Sequence, residues 1–196
     1  TSKQIQFYHK TKLVPGAERM PYPQVFKFLE KYAVSLGGIS GSLGTNNEPV
    51  VFTKKFHHKN LKVAPLICYE SAYGEYASEF VKQGAEAIFI MTNDGWWGNT
   101  AGHTQHMLYA KLRSIETHRW VIRSANTGTS CFIAPDGTVY DATDWWKEAS
   151  IKHNIDFRTG ETFYVQHGDY IARFSSVISV VLLLLLISVL VKRKFF

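Results

Sequence analysis

From Phe174 to Val191 the chain runs apolar for 18 residues, with only Ser175, Ser176, Ser179 and Ser188 set among Val, Ile and Leu. That length meets the lower limit for crossing the hydrocarbon core of a bilayer. An amphipathic core helix would carry a polar face, and Leu182 to Ile187 carries none. Tyr170, Ile171 and Ala172 lengthen the run, and Arg173 stands near enough to its end to snorkel. The pattern predicts a membrane-spanning helix over 170–192, followed by a basic tail over 193–196. Ahead of it, in residues 1–169, short β-rich runs alternate with helical ones, the rhythm of an α/β layered domain. Strands are expected at Ile5–Tyr8, Val50–Thr53, Val63–Cys68, Ala87–Thr92, Val121–Ser124, Ser130–Ala134 and Thr138–Tyr140. Helices are expected at Pro23–Leu36, Ser71–Gln83 and His103–His118; in the last, Leu108, Leu112 and Ile115 fall at i, i+4 and i+7 and predict one buried face. Pro135-Asp136-Gly137 between two strand candidates predicts a hairpin turn, and 37–48 reads as a surface loop.

Charge changes the picture at one end only. The 22 basic and 16 acidic residues leave +6, and Lys192, Arg193 and Lys194 sit together directly behind the apolar run. Charge placed there does not point to nucleic acid as a partner. By the positive-inside rule it predicts a cytoplasmic C-terminus with the body on the opposite side, which in a bacterium is the periplasm. Thr1 to Lys10 is polar and lacks the apolar core of a secretory signal. Export of the body therefore leads us to expect further residues upstream of Thr1. With 45% hydrophobic residues the chain has enough apolar side chains for a packed core, which excludes a disordered chain.

Cys68 and Cys131 are the only cysteines, too few for a disulfide scaffold, and both read as thiols. Cys131 lies in an alternating stretch where a small buried hydrophobe is expected. Cys68 ends the apolar run Pro65-Leu66-Ile67, and the pattern then turns helical with Glu70 or Ser71 as a cap. A thiol at such a strand-to-helix junction gains acidity and exposure, the physical logic of a nucleophile elbow; the alternative is an inert cysteine filling the strand end. Lys10 and Lys12 share one face of an extended segment, so at least one is expected in water. A buried lysine beside Cys68 would favour the thiolate and stabilise an oxyanion. Trp96 and Trp97 follow a strand in a Gly-containing loop, where they pack on the domain or wall a ligand or lipid. His103 and His106 have metal-like spacing without a third ligand placed with them, so no metal is expected. Arg113 and Glu116 pair at i, i+3 on what reads as a solvated or interface face.

Taken in order, Tyr8-His9-Lys10, Leu13-Val14-Pro15, Glu18, Ile67-Cys68-Tyr69-Glu70, Asn93-Asp94-Gly95-Trp96-Trp97-Gly98, Gln105-His106, Arg113 to Glu116, Arg119, Arg123, Asn126-Thr127-Gly128 and Pro135-Asp136-Gly137 resemble the carbon–nitrogen hydrolase (nitrilase) superfamily. Within it they resemble the branch of bacterial apolipoprotein N-acyltransferases, which carries a transmembrane helix after the catalytic domain. The resemblance implies part of a nitrilase-like α-β-β-α sandwich followed by that helix. It implies Cys68 as nucleophile, Lys10 as the cation beside it, and Glu18, Glu70 and Tyr69 as supporting active-site residues. Trp96 and Trp97 would contact substrate. The family's general-base Glu precedes its Lys, whereas nothing before Lys10 is acidic here, and Gly16-Ala17-Glu18 departs from the usual Phe-Gly-Glu. Residues 1–196 are therefore expected to be a C-terminal fragment.

The resemblance further implies acyl transfer without a cofactor in a bacterial inner membrane. A phospholipid would donate the acyl group to Cys68, and an apolipoprotein's N-terminal S-diacylglyceryl cysteine would accept it. One alternative is an amidase hydrolysing small C–N substrates, which leaves the apolar tail without a purpose. The other is an inactive membrane-anchored module.

Overall fold

The computed structural model describes residues 5–15, 18, 44–56 and 59–195. The helix expected at Pro23–Leu36 and most of the loop over 37–48 lie outside them. Among the described residues six strands form one sheet whose spatial order follows the chain: β1 (Phe52–Phe56), β2 (Lys59–Ile67), β3 (Ala87–Thr92), β4 (Val121–Ala125), β5 (Cys131–Ile133) and β6 (Val139–Tyr140). The central trio β2, β3 and β4 is parallel, and the outer pairings are antiparallel. Parallel neighbours require crossovers. These are helices α1 (Gly74–Lys82) and α2 (Ala101–Thr117), which thereby come to lie beside the carboxyl ends of the strands that feed them.

The register explains the core. Ala64, Ile88, Val121 and Ile133 form one cross-strand row, and Leu66, Ile90, Arg123 and Cys131 the next; every one of them is buried. Against these rows α1 lays Tyr76, Ala77 and Phe80, and burying Phe80 alone contributes about 2–3 kcal/mol. The intervening row, Pro65, Phe89, Ile122 and Phe132, points to the other face of the sheet. The turn at Pro135-Asp136-Gly137 joins β5 to β6 as expected, with Gly137 at φ 85°; a Cβ there would strike Ile115 at 2.7 Å.

Three expectations are corrected. Ile5–Tyr8 makes no strand ladder; the Gln6 amide instead donates to Thr53 O at 2.7 Å and accepts from Thr53 N at 2.8 Å, a side-chain substitute for pairing with β1. The helix expected over Ser71–Gln83 is two pieces, a 3-10 turn over Cys68–Ala72 and then α1, divided at Tyr73, whose backbone is extended. The third concerns α2. Leu108, Leu112 and Ile115 are each almost half exposed, and the buried face carries His106, Ala110, Arg113, Ser114 and Thr117 instead. Apolar spacing misplaced that face because its polar groups satisfy one another inside the fold. Arg113, expected on a solvated face, is buried; it pairs with Glu116 at 2.8 Å and donates to Ser71 O at 3.2 Å.

A short helix, α3 (Phe163–His167), leads into α4 (Tyr170–Phe195). Over Tyr170–Arg193 α4 is long and apolar enough to cross a membrane, and none of its most apolar window is buried in the fold. At its root Arg173 pairs with Glu75 of α1, and Asp169 N donates to the same carboxylate at 3.0 Å. These contacts are exposed and contribute little stability, but they orient the helix on the body.

Candidate active site

Three parallel strands end at the same edge of the sheet, the edge where open α/β sheets place their ligands. Cys68 is the first residue beyond β2 and adopts φ 51°, left-handed backbone that costs a non-glycine residue about 1–2 kcal/mol. The turn over Cys68–Ala72 that follows bends sharply away from the strand, as in a nucleophile elbow. Cys68 is a free, half-buried thiol, whereas Cys131 is fully buried in the core. Burial pushes the Cys131 thiol up to about 11 despite the Arg123 guanidinium nearby. Iodoacetamide at neutral pH should therefore alkylate Cys68 and spare Cys131, as peptide mapping of the labelled protein would record; preferential labelling of Cys131 would contradict the placement of both.

Glu70 ties the elbow to the N-terminal segment. Fully buried, it accepts through Oε2 from Ile67 N at 2.7 Å, and through Oε1 from Thr11 N at 2.6 Å, Lys12 N at 3.3 Å and the Tyr8 hydroxyl at 2.5 Å. The carboxylate thus clamps the residue before Cys68 against the residues after Lys10. Tyr8 also meets the Tyr76 hydroxyl at 2.7 Å. Burial, followed by the hydrogen bond to Glu70, pushes the Tyr8 phenol far above its ordinary range, so it stays a donor. The sequence expectation gave Glu70 a place in the site; its four donors, three of them 58 or more residues away in the chain, were not visible there.

Lys10 is buried, and its Nζ lies 2.8 and 2.6 Å from the two oxygens of Glu18. Glu18 also accepts from Val14 N at 2.8 Å, which closes the loop around the lysine. Lys12 is half-buried, with its ammonium 5.0 Å from the centre of the Tyr76 ring. Tyr69 packs edge-to-face on Tyr73, with ring centres 5.2 Å apart. Trp97 lies over Gly102 at the start of α2, where a Cβ would meet the indole at 2.6 Å, while Trp96 is 64% exposed.

Behind the elbow stands a buried polar cluster whose members lie in the ordered motifs but whose contacts with one another the sequence did not reveal. Arg123, in a core row of β4, donates to Asp94 Oδ2 at 2.5 Å. His106 Nδ1 lies 2.8 Å from Asp94 Oδ1, and Thr92 Oγ1 donates to that oxygen at 3.0 Å. Burial opposes the charge on Asp94, but the His106 hydrogen bond and the Arg123 guanidinium outweigh it and hold the carboxyl down to about 2. Gly128 makes room for this carboxylate, since a Cβ there would sit 2.3 Å from Oδ2. The available signal was the set of motifs that carry the resemblance, which holds Asp94, His106, Arg123 and Gly128. His103 takes no part; it stacks on Trp145 at 3.9 Å between ring centres. Among the described residues no group of three His, Cys, Asp or Glu side chains is placed to hold a metal ion.

A sequence model of the carbon-nitrogen hydrolase family matches residues 1–163. Proteins called apolipoprotein N-acyltransferase match from Chlorobaculum tepidum, 35% identical over 85% of this chain and 31% of the relative, and from Thermotoga maritima, 34% identical over 89% of this chain and 33% of the relative. The chain thus spans about a third of the length of these curated relatives. A solved amidase from Nesterenkonia sp. AN1 aligns over 86% of this chain and 56% of its own, at 12% identity and a TM-score of 0.49. With the match running through the elbow, the lysine loop and the polar cluster alike, the chain belongs to the carbon-nitrogen hydrolase family.

Proposed function

We propose that the protein bearing this chain N-acylates the N-terminal S-diacylglyceryl cysteine of apolipoproteins, taking the acyl group from a phospholipid through a thioester on Cys68. The observation that carries this reading is the Glu70 clamp, which sets the backbone of an elbow thiol against that of a buried lysine. The names of the relatives support the acceptor class, and the exposed apolar helix supports a site held at a lipid surface.

In the first half-reaction a carboxylate base takes the thiol proton and Cys68 Sγ adds to the ester carbonyl carbon. The Lys10 ammonium stabilises the oxyanion. Collapse breaks the bond to the glycerol oxygen, which leaves as lysophospholipid carrying the proton. In the second, the α-amine of the diacylglyceryl cysteine adds to the thioester, the carbon–sulfur bond breaks, an amide forms, and the amine proton returns to sulfur. Glu18 and Glu70 position Lys10 and the elbow, Tyr69 lines the turn, and Trp96 and Trp97 meet acyl chains or the lipid interface. Because both substrates are lipid-held, a tethered site gains effective concentration.

Residues 1–169 belong to the catalytic domain, 170–192 cross the inner membrane, and 193–196 form a basic cytoplasmic tail. Lys192, Arg193 and Lys194 behind the apolar run support a catalytic body in the periplasm. The full-length protein, given phospholipid and a synthetic diacylglyceryl-cysteine lipopeptide, should yield N-acyl lipopeptide by mass spectrometry and release no ammonia from simple amides. Ammonia release without acylated lipopeptide would establish the amidase reading instead.

A further inference from the structure

The inner face of α2 is a wall behind the elbow. Its His106 points Nε2 at the carbonyl oxygen of Cys68, 3.1 Å away, and Nδ1 at Asp94 Oδ1, 2.8 Å away. The Cys68 oxygen can only accept, so Nε2 is the donor to it. Ser71 Oγ donates to the same Cys68 oxygen at 2.8 Å, and its own oxygen lies 3.1 Å from His106 Nε2. About two turns further along α2, Arg113 Nη1 donates to Ser71 O at 3.2 Å. The cluster is sealed, because His106, Ser71, Asp94, Arg113 and Arg123 are all buried.

This arrangement answers a question the elbow poses. Cys68 holds left-handed backbone at φ 51°, a conformation that persists only where its surroundings over-determine it. The orientation of the peptide after Cys68 sets where Sγ points, and that peptide's oxygen is gripped by His106 and Ser71. Arg123 fixes Asp94, Asp94 fixes the imidazole, and the imidazole fixes the elbow. We infer that His106 is the positioning residue of the nucleophile, aiming the Cys68 thiol through its carbonyl, with Asp94 and Arg123 as the brace behind it. The inference rests on Cys68 being the nucleophile and adds a residue outside the Cys-Lys-Glu set.

Two replacements separate the two ends of the ring. Glutamine reaches as far as Nε2 and keeps a donor for the Cys68 oxygen; asparagine reaches only as far as Nδ1 and loses it. In the full-length protein, His106→Asn should slow iodoacetamide alkylation of Cys68 about 10–100-fold and lower kcat for acyl transfer in proportion, with KM within about twofold of wild type. His106→Gln should recover most of both losses at a similar melting temperature. A structural role alone would make the two variants lose rate in step with their melting temperatures. Asp94→Asn, which loosens the brace without touching Cys68, should slow alkylation by an intermediate factor, and it decides the matter if His106→Asn does not fold. Wild-type alkylation rates in His106→Asn or Asp94→Asn, or equal losses in His106→Asn and His106→Gln, would overturn the inference. Alkylation needs no lipid, so a His106-dependent rate in a protein that transfers no acyl group would sink the proposed function and leave the positioning role standing.

Discussion

Cys68→Ala should abolish acyl transfer, lowering turnover by about 10,000-fold or more while leaving the fold in place. The size follows from chemistry, since without the sulfur no thioester forms and both half-reactions lose their common intermediate. The tolerance of the fold follows from position. Cys68 is half-buried at a sheet edge and lies outside the apolar core cluster, so truncating it opens no cavity. The left-handed backbone costs alanine about what it costs cysteine. Melting temperature and turnover, measured on the same preparation, test both statements; retained turnover in Cys68→Ala would remove the nucleophile from the account.

Glu70→Gln should be the most damaging change that leaves every reacting atom in place. Both oxygens of Glu70 accept, from Ile67 N, Thr11 N, Lys12 N and the Tyr8 hydroxyl. A glutamine turns one acceptor into an NH2 facing N–H groups, which leaves buried donors unpaired at a cost of about 3 kcal/mol. The lysine segment then comes away from the elbow, and a displacement of about 1 Å is enough to lower the rate roughly 100-fold. Tyr8→Phe removes a single donor and should do far less harm. Thermal unfolding in detergent together with the lipid-free alkylation rate of Cys68 checks this, and wild-type values for both in Glu70→Gln would show the clamp to be idle.

Much of this architecture was legible in the sequence, for a physical reason. Strands β2 to β6 and the hairpin at Pro135-Asp136-Gly137 follow from alternation and turn chemistry, which are local properties. The apolar run behind α4 is legible in the same way. What escaped is non-local. Leu108, Leu112 and Ile115 have helical spacing, yet α2 turns His106, Arg113, Ser114 and Thr117 inward because their partners arrive from the elbow and from the strand ends. Ile5–Tyr8 looks extended and β-like, but it is held by the side chains of Gln6 and Tyr8 and joins no ladder. Cys68, Lys10, Glu18 and Glu70 came from ordered motifs. The hydrogen bonds that join Glu70 to Tyr8 and His106 to the Cys68 oxygen span 62 and 38 positions, which no local pattern records.

The central claim is that Cys68 carries an acyl group between two lipid-bound molecules. Incubating the full-length protein with a phospholipid of single acyl composition, without acceptor, and recording the intact mass tests it directly. The account predicts a mass gain of one acyl group, mapped to the peptide containing Cys68 and discharged when diacylglyceryl-cysteine lipopeptide is added. No adduct in the wild-type protein, or one that persists in Cys68→Ala, would contradict it.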